Sequence, residues 1–339
     1  MKQLVCEKPY EMTYKQGDIP KITEDEVLIK VLSVGVCGTD IHAYTGNQPF
    51  FSYPRVLGHE LAGDIVKCGS KAANDFKIGE RVALIPYVAC HECPSCQSGK
   101  TNCCENISVI GVHQDGGFGE YLVAPKANVI KVGNVDPVTA SLIEPFAISA
   151  HSVRRAQVQK GEDILVVGAG PIGLGAAAIA KADGANVVVA DTQELRREKV
   201  RLNLDLPTIN PMDEDFEEQL RSLFNGHLAS TVIDATGNAF AMNNAVKHIR
   251  NGGKIVFVGL FKGKLEIDDP EFHKKETTIM GSRNATPEDF EKVCRLMQTG
   301  DITSQMMLTH KFNFYDIGDR YESDVVNNKE LLKGVIIFD

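Results

Sequence analysis

The most restrictive stretch of this chain is Asp163-Ile164-Leu165-Val166-Val167-Gly168-Ala169-Gly170-Pro171-Ile172-Gly173. A compact apolar strand runs directly into G-x-G-x-x-G, and the small apolar residues that follow, 172–181, read as a buried helix. A second strand, 185–190, leads to Asp191. Strand, glycine turn, helix, strand and terminal acid, in that order, are what a dinucleotide-binding βαβ unit requires. Gly168 and Gly170 permit a tight turn and close approach of the backbone to a pyrophosphate at the helix N-terminus that Ile172 opens. Gly173 lets helix pack on strand. The Asp191 carboxylate suits two ribose hydroxyls and repels a 2′-phosphate, so NAD is expected over NADP. Arg196 and Arg197 are read as a solvated helix face.

The alternation continues downstream. Helix is expected over 194–204, strand over 231–234, helix over 239–250 and strand over 254–258, which is the pattern of a parallel sheet with crossover helices. It stops near Met280-Gly281-Ser282. Upstream, short apolar runs such as 27–34 and 81–85 lie between glycine-marked turns, as in a β-rich domain. At roughly 150 residues per domain, 339 residues suggest two. The tail, with a closing strand at 333–338, is too short to stand alone and is expected to rejoin the first domain. The division is therefore 1–146 with 285–339, and 147–284: an α/β doubly wound parallel-sheet domain inserted into a discontinuous β-rich one.

Composition narrows the partners. Acidic residues number 45 against 36 Lys plus Arg, a formal charge of -9, and no basic run offers a track for phosphates, so nucleic acid is not expected. The N-terminal residues read as a strand rather than a leader. The longest charge-free apolar stretch, 164–180, is broken by glycines and a proline, so no membrane partner is expected and the location is expected to be cytoplasmic.

Nine cysteines are too few for a disulfide scaffold, and five of them fall between Cys90 and Cys104. Cys90, Cys93, Cys96 and Cys104 follow C-x2-C-x2-C-x7-C, which suits a closed, structural tetrahedral zinc; Cys103 is an alternative fourth ligand. The iron–sulfur spacing that begins the same way continues with x3-C-P, absent here. A second constellation is dispersed: Cys37, then Gly58-His59-Glu60, then Glu144. One thiolate, one imidazole and one carboxylate leave a fourth position open, as a catalytic zinc needs. Cys6, Cys68 and Cys294 read as core residues.

Together these residues resemble the zinc-dependent medium-chain alcohol and polyol dehydrogenase superfamily over nearly the whole length. Gly58-His59-Glu60-Leu61-Ala62-Gly63 matches its zinc signature. The resemblance implies a GroES-like β domain plus a Rossmann domain, two zinc ions per subunit, NAD, and a homodimer or homotetramer. Stretches such as Tyr53-Pro54-Arg55-Val56-Leu57 and Ile143-Glu144-Pro145-Phe146-Ala147-Ile148-Ser149-Ala150-His151 are similar to the bacterial sugar-acid branch, which implies oxidation of L-galactonate to D-tagaturonate. By position, Cys37 and His59 would be ligands, with Glu60 or Glu144 beside them. Asp40 would orient the His59 ring, Thr39 and His42 would relay the substrate proton, and Lys333 would contact the cofactor pyrophosphate. A sugar acid needs a cation for its carboxylate, for which Arg55, Arg283 and His113 are the candidates. The alternatives are a neutral polyol or secondary-alcohol dehydrogenase, and a cofactor-binding relative without catalysis.

Overall fold

The computed structural model describes residues 1–48 and 51–338. Contacts divide it into two units: Met1–Glu144 with Thr286–Ser304 and Leu308–Asp339, and Pro145–Ala285 with Gln305–Met307.

The first unit begins with ten strands, β1 (Lys2–Lys8), β2 (Glu11–Gln16), β3 (Glu26–Val36), β4 (Arg55–Val56), β5 (Glu60–Cys68), β6 (Arg81–Leu84), β7 (Tyr87–Val88), β8 (Ser108–Val109), β9 (Tyr121–Pro125) and β10 (Val129–Lys131). β3 organises the unit. Val27, Leu28, Ile29, Val31, Val34 and Val36 are buried and only Lys30 is exposed, so the strand is covered on both faces along most of its length. Leu4, Leu61, Ile65, Phe118 and Ile336 join Val27, Ile29, Val31, Val34 and Val36 in a continuous apolar cluster.

The second unit holds β11 (Asp163–Val167), β12 (Asn186–Ala190), β13 (Thr208–Ile209), β14 (Ala229–Asp234), β15 (Ile249–Phe257) and β16 (Thr278–Gly281). They form a parallel sheet in the order β13-β12-β11-β14-β15-β16. This is the doubly wound order of a Rossmann fold, in which the first strand and its neighbour on the other side mark the reversal point. The helix expected over 239–250 is shorter. It runs Ala239–Asn244, tightens into a 3-10 turn over Ala245–His248, and gives way to β15 at Ile249. Asn243 and Asn244 are poor helix formers, and buried Ile249 is worth more paired with Ala229 of β14.

The chain then returns to the first unit with β17 (His310–Asn313) and β18 (Gly334–Ile337), completing the path β10-β6-β5-β3-β18-β17 with β9 also on β3. Among the described residues no helix is long and apolar enough to cross a membrane.

Candidate metal centres and cofactor site

Three adjacent strands assemble the dispersed constellation. β18 and β5 both run antiparallel to β3, with Gly334 opposite Val36 and Glu60 opposite Gly35. Lys333, Cys37 and His59 each sit one residue beyond those pairs, so the register alone carries them to one end of the sheet. Gly35 supplies the room: a Cβ there would lie 2.0 Å from Glu60 Oε2. His59 and Glu60 would point to opposite faces if both were in a regular strand. They do not, because β5 starts only at Glu60 and Gly58 turns the chain just before it at φ 92, where only glycine is relaxed. Candidate ligand atoms of Cys37, His59 and Glu60 all lie within 4.8 Å of one another.

Around this cluster the polar groups are dry. His59, Glu60, Glu144, Asp40 and Lys333 are each at most 5% exposed. Asp40 accepts from the Cys37 amide at 2.8 Å and the Gly58 amide at 3.2 Å, and its Oδ1 lies 3.8 Å from His59 Nδ1, within ion-pair range but too long for a direct hydrogen bond. Glu144, in the first turn of the helix Ile143–Arg155, accepts from the Tyr87 hydroxyl and leaves Oε2 buried without a hydrogen-bond partner. Burial pushes the carboxyls of Asp40 and Glu144 upward against the pull of His59. Burial opposes a charge on His59, yet the Cys37 sulfur and Asp40 raise it well above the ordinary imidazole value. Burial is the main cause for the two carboxyls and the neighbouring acidic groups for His59, and a divalent cation among them would relieve both.

Lys333 departs from its expected role. Its ammonium is buried and donates to the Val36 carbonyl at 3.0 Å and to Glu60 Oε1 at 2.5 Å, and the Glu60 charge raises its pKa despite burial. The antiparallel register places it across β3 from Glu60, so it is engaged in the sheet rather than held out for a phosphate. Thr39 is half-buried in the helix Gly38–Tyr44, its hydroxyl 3.8 Å from Cys37 Sγ, and His42, one turn further, is exposed.

The second cluster is local. Sulfurs of Cys90, Cys93, Cys96 and Cys104 also lie within 4.8 Å of one another, close to the ~3.8 Å spacing that four thiolates take around zinc. Cys104 is buried in the group, whereas Cys103 is exposed and outside it. Backbone amides of Glu92 and Cys93 aimed at Cys90, and of Glu105 and Cys96 aimed at Cys93, lower both thiols; burial pushes Cys96 up. All nine cysteines are free thiols. The donor sets of both clusters therefore fit zinc, one closed by four sulfurs and one with mixed donors.

In the second unit, Gly168 has φ 96, and a Cβ on Gly173 would lie 1.7 Å from the Gly168 carbonyl oxygen, so both glycines are required. A Cβ on Gly170 would meet nothing within 4 Å; that face is open to a ligand at the N-terminus of the helix Pro171–Ala182, whose second residue is Ile172. A cavity of about 370 Å³ adjoins it, lined by Gly168, Gly170, Asp191, Arg196, Thr236 and Phe240 among others. Asp191 is positioned by the amides of Ala169 at 2.7 Å and Gln193 at 2.8 Å. Arg197 is not a solvated cation: it donates to the Asp191 carbonyl at 2.5 Å and pairs with Glu194. The glycine cradle and the oriented acid fit a dinucleotide.

Of the three candidates for a substrate carboxylate, Arg55 pairs with Asp115 at 3.3 Å and donates to the Ser52 hydroxyl, with its Nε buried and unpartnered. His113 Nδ1 accepts from the Val109 amide at 2.9 Å, and Arg283 is exposed beyond β16. Sequence reasoning missed Tyr87 and Gly35. A tyrosine before a cysteine loop and a glycine in a long strand carry no signal without the strand register.

Residues 23–134 match the alcohol dehydrogenase GroES-like domain and residues 171–299 match the zinc-binding dehydrogenase model. L-galactonate-5-dehydrogenase of Escherichia coli (strain K12) is 65% identical over 338 residues, covering 100% of this chain and 99% of that protein. Sorbitol dehydrogenase of Bacillus subtilis (strain 168) is 32% identical, covering 99% and 97%. Among solved structures, an alcohol dehydrogenase from Escherichia coli CFT073 complexed with the cofactor NADH superposes with a TM-score of 0.90 at 33% identity, covering 100% and 99%. A β-rich unit with two cysteine-bearing clusters that could hold a metal, a Rossmann unit with its glycine turn, and relatives matched end to end lead to one conclusion: this chain is a dehydrogenase of the zinc-binding alcohol dehydrogenase family.

Proposed function

We propose that the chain oxidises a secondary hydroxyl of a sugar acid, L-galactonate, to the ketone D-tagaturonate, passing hydride to NAD and releasing one proton. The observation that carries the reaction type is the Cys37–His59–Glu60 cluster, whose ligand atoms lie within 4.8 Å of one another, with His59 and Glu60 buried and Cys37 half-buried. The substrate rests on the 65% identity with L-galactonate-5-dehydrogenase.

Zinc and NAD, when bound, supply a Lewis acid that lowers the pKa of a coordinated hydroxyl and an acceptor for the hydride. Cys37 and His59, with Glu60 or Glu144, would hold the metal, and Asp40 would fix the His59 ring and its tautomer. Thr39 would accept the hydroxyl proton and His42, three residues on and solvent-exposed, would pass it out; residues at i and i+3 share a helix face. Gly168, Gly170, Ile172, Gly173 and Asp191 would hold the dinucleotide, Asp191 through the ribose hydroxyls. Arg55, with its unpartnered Nε, is the first choice for the substrate carboxylate, ahead of Arg283 and His113. Cys90, Cys93, Cys96 and Cys104 would hold the second, structural zinc.

The catalytic residues belong to a discontinuous domain, 1–146 with 285–339, and the dinucleotide residues to 147–284. Nine free thiols fit a reducing cytoplasm. The assembly expected is a homodimer or homotetramer, and no nucleic acid or membrane takes part.

The engagement of Arg55 by Asp115 favours one second reading, oxidation of a neutral polyol. Aldonates and alditols assayed in parallel with NAD and NADP, followed by NADH absorbance, separate the two. Turnover of L-galactonate well above that of the alditols supports the sugar-acid reading, and the reverse order replaces it.

A further inference from the structure

Two buried carboxylates, Glu60 within the dispersed cluster and Glu144 outside the group of atoms that lie within 4.8 Å of one another, are anchored by different chemistry. Glu60 is held by a cation, Lys333. Glu144 is held by a neutral phenol, that of Tyr87. The Tyr87 backbone is fixed by pairing with Val109 across β7 and β8 and by the Asn128 side-chain amide, which donates to the carbonyls of Ile85 at 2.9 Å and Tyr87 at 3.1 Å. The ring stands edge-on to fully buried Phe290, with centroids 6.2 Å apart and planes at 70°. Strand, amide and ring contacts therefore all settle where the hydroxyl points.

The hydroxyl donates to Glu144 Oε1, and Oε2 is left buried with no hydrogen-bond partner in a residue 2% exposed. Glu144 is close enough to His59, Glu60 and Lys333 to feel their charges. A cation beside Glu60 settles its charge whether or not a metal is present. A neutral donor does something else: it sets the orientation of the carboxylate and leaves its charge for another partner.

We propose that Tyr87 is a positioning residue for the catalytic metal, holding Glu144 by Oε1 so that Oε2 is presented to a cation at the Cys37–His59–Glu60 cluster. The inference rests on that cluster being the catalytic zinc site. Outer partners of this kind typically alter metal affinity or activity by 10–100-fold when removed. Tyr87→Phe keeps the ring and its contact with Phe290 and deletes only the hydroxyl.

The test compares wild type, Y87F, E144Q and the double variant, each purified with its zinc. Zinc per subunit is measured over time against EDTA, with kcat and the KM for NAD measured in parallel. The four-cysteine zinc and the melting temperature report on folding. In Y87F, about tenfold faster loss of one zinc and about tenfold lower kcat are expected, with the other zinc, the KM for NAD and the melting temperature unchanged. In the E144Q background the Y87F change should add nothing further, because its effect runs through that carboxylate. Y87F that keeps both zincs and full kcat overturns the proposal, as does a Y87F effect of equal size with and without Glu144. A wild type retaining a single zinc overturns the metal-site reading and this one together, whereas two zincs in wild type with an unaltered Y87F overturn this one alone.

Discussion

The two cysteine-bearing clusters of the first unit are built in opposite ways. Cys90, Cys93, Cys96 and Cys104 lie within fifteen consecutive residues, and backbone amides of the same loop stabilise the thiolates of Cys90 and Cys93. Cys37, His59 and Glu60 reach one point only because β3 and β5 pair in register, Lys333 reaches Glu60 from beside β18 across β3, and Glu144 interacts with their charges from a more distant part of the chain. A local loop can surround an ion completely with sulfurs. A site collected from several strands can mix donors, leave a position open and be tuned by neighbours such as Asp40, Lys333 and Tyr87. The first arrangement suits structure and the second suits chemistry.

That contrast can be broken by exchanging the consequences. Cys37→Ser should lower turnover by roughly a thousandfold or more, since it would remove a ligand of the proposed reacting centre, while leaving the four-cysteine zinc and the fold in place. Metal analysis and NADH absorbance check it; normal turnover in a variant lacking one zinc would make the dispersed cluster noncatalytic. Cys96→Ser should do the reverse, lowering the melting temperature and the soluble yield while the surviving folded enzyme keeps kcat within a few-fold. A structural zinc contributes directly to folding free energy.

Lys333→Met sharpens the comparison from inside the dispersed site. It leaves Glu60 as an uncompensated buried charge, a change that costs about 3–5 kcal/mol when one partner of a buried pair is removed. Urea unfolding of EDTA-treated and zinc-loaded protein should show a smaller cost in the loaded form, because zinc takes over the role of countercharge. Equal costs in both forms would mean that Glu60 does not face the metal.

Asp191→Ala tests the second unit and should raise the KM for NAD by about tenfold with a smaller effect on NADP, read from initial rates. The smallest effect expected comes from His248, which lines the cavity beside the glycine turn. Burial holds His248 down at about 4 in the folded protein, so below pH 6.5 the unfolded chain takes up the proton first. Stability attributable to His248 is complete above pH 6.5 and is lost as pH falls towards 4, by about 2 kcal/mol after allowing for partial exposure. His248→Gln should narrow the stability difference between pH 8 and pH 5 relative to wild type, both clusters titrating alike in the two proteins.

Legibility followed the distance over which a feature is encoded. The strand Asp163–Val167, its glycine turn and the helix Glu194–Leu204 stand where the sequence pattern puts them, because each follows from neighbours a few residues apart. The helix expected over 239–250 ended early because pairing with β14 captured Ile249. Whether Glu60 joins His59 was open in the sequence, because a regular strand would part them, and the turn at Gly58 removes that constraint. The resemblance implied a pyrophosphate contact for Lys333, and nothing nearby in sequence reveals that Glu60 lies across β3 from it.

Residue spacing along the chain was enough to establish a dinucleotide-binding βαβ unit, a four-sulfur loop and the residue types for a second metal, since short-range geometry and donor chemistry are written in consecutive residues. Tertiary structure alone decided that Cys104 rather than Cys103 closes the loop, that Lys333 neutralises Glu60, and that Tyr87 holds Glu144. The last two choices depend on strand register and burial, which arise only when segments more than fifty residues apart pack and exclude water, and the first depends on how the loop folds over its own sulfurs.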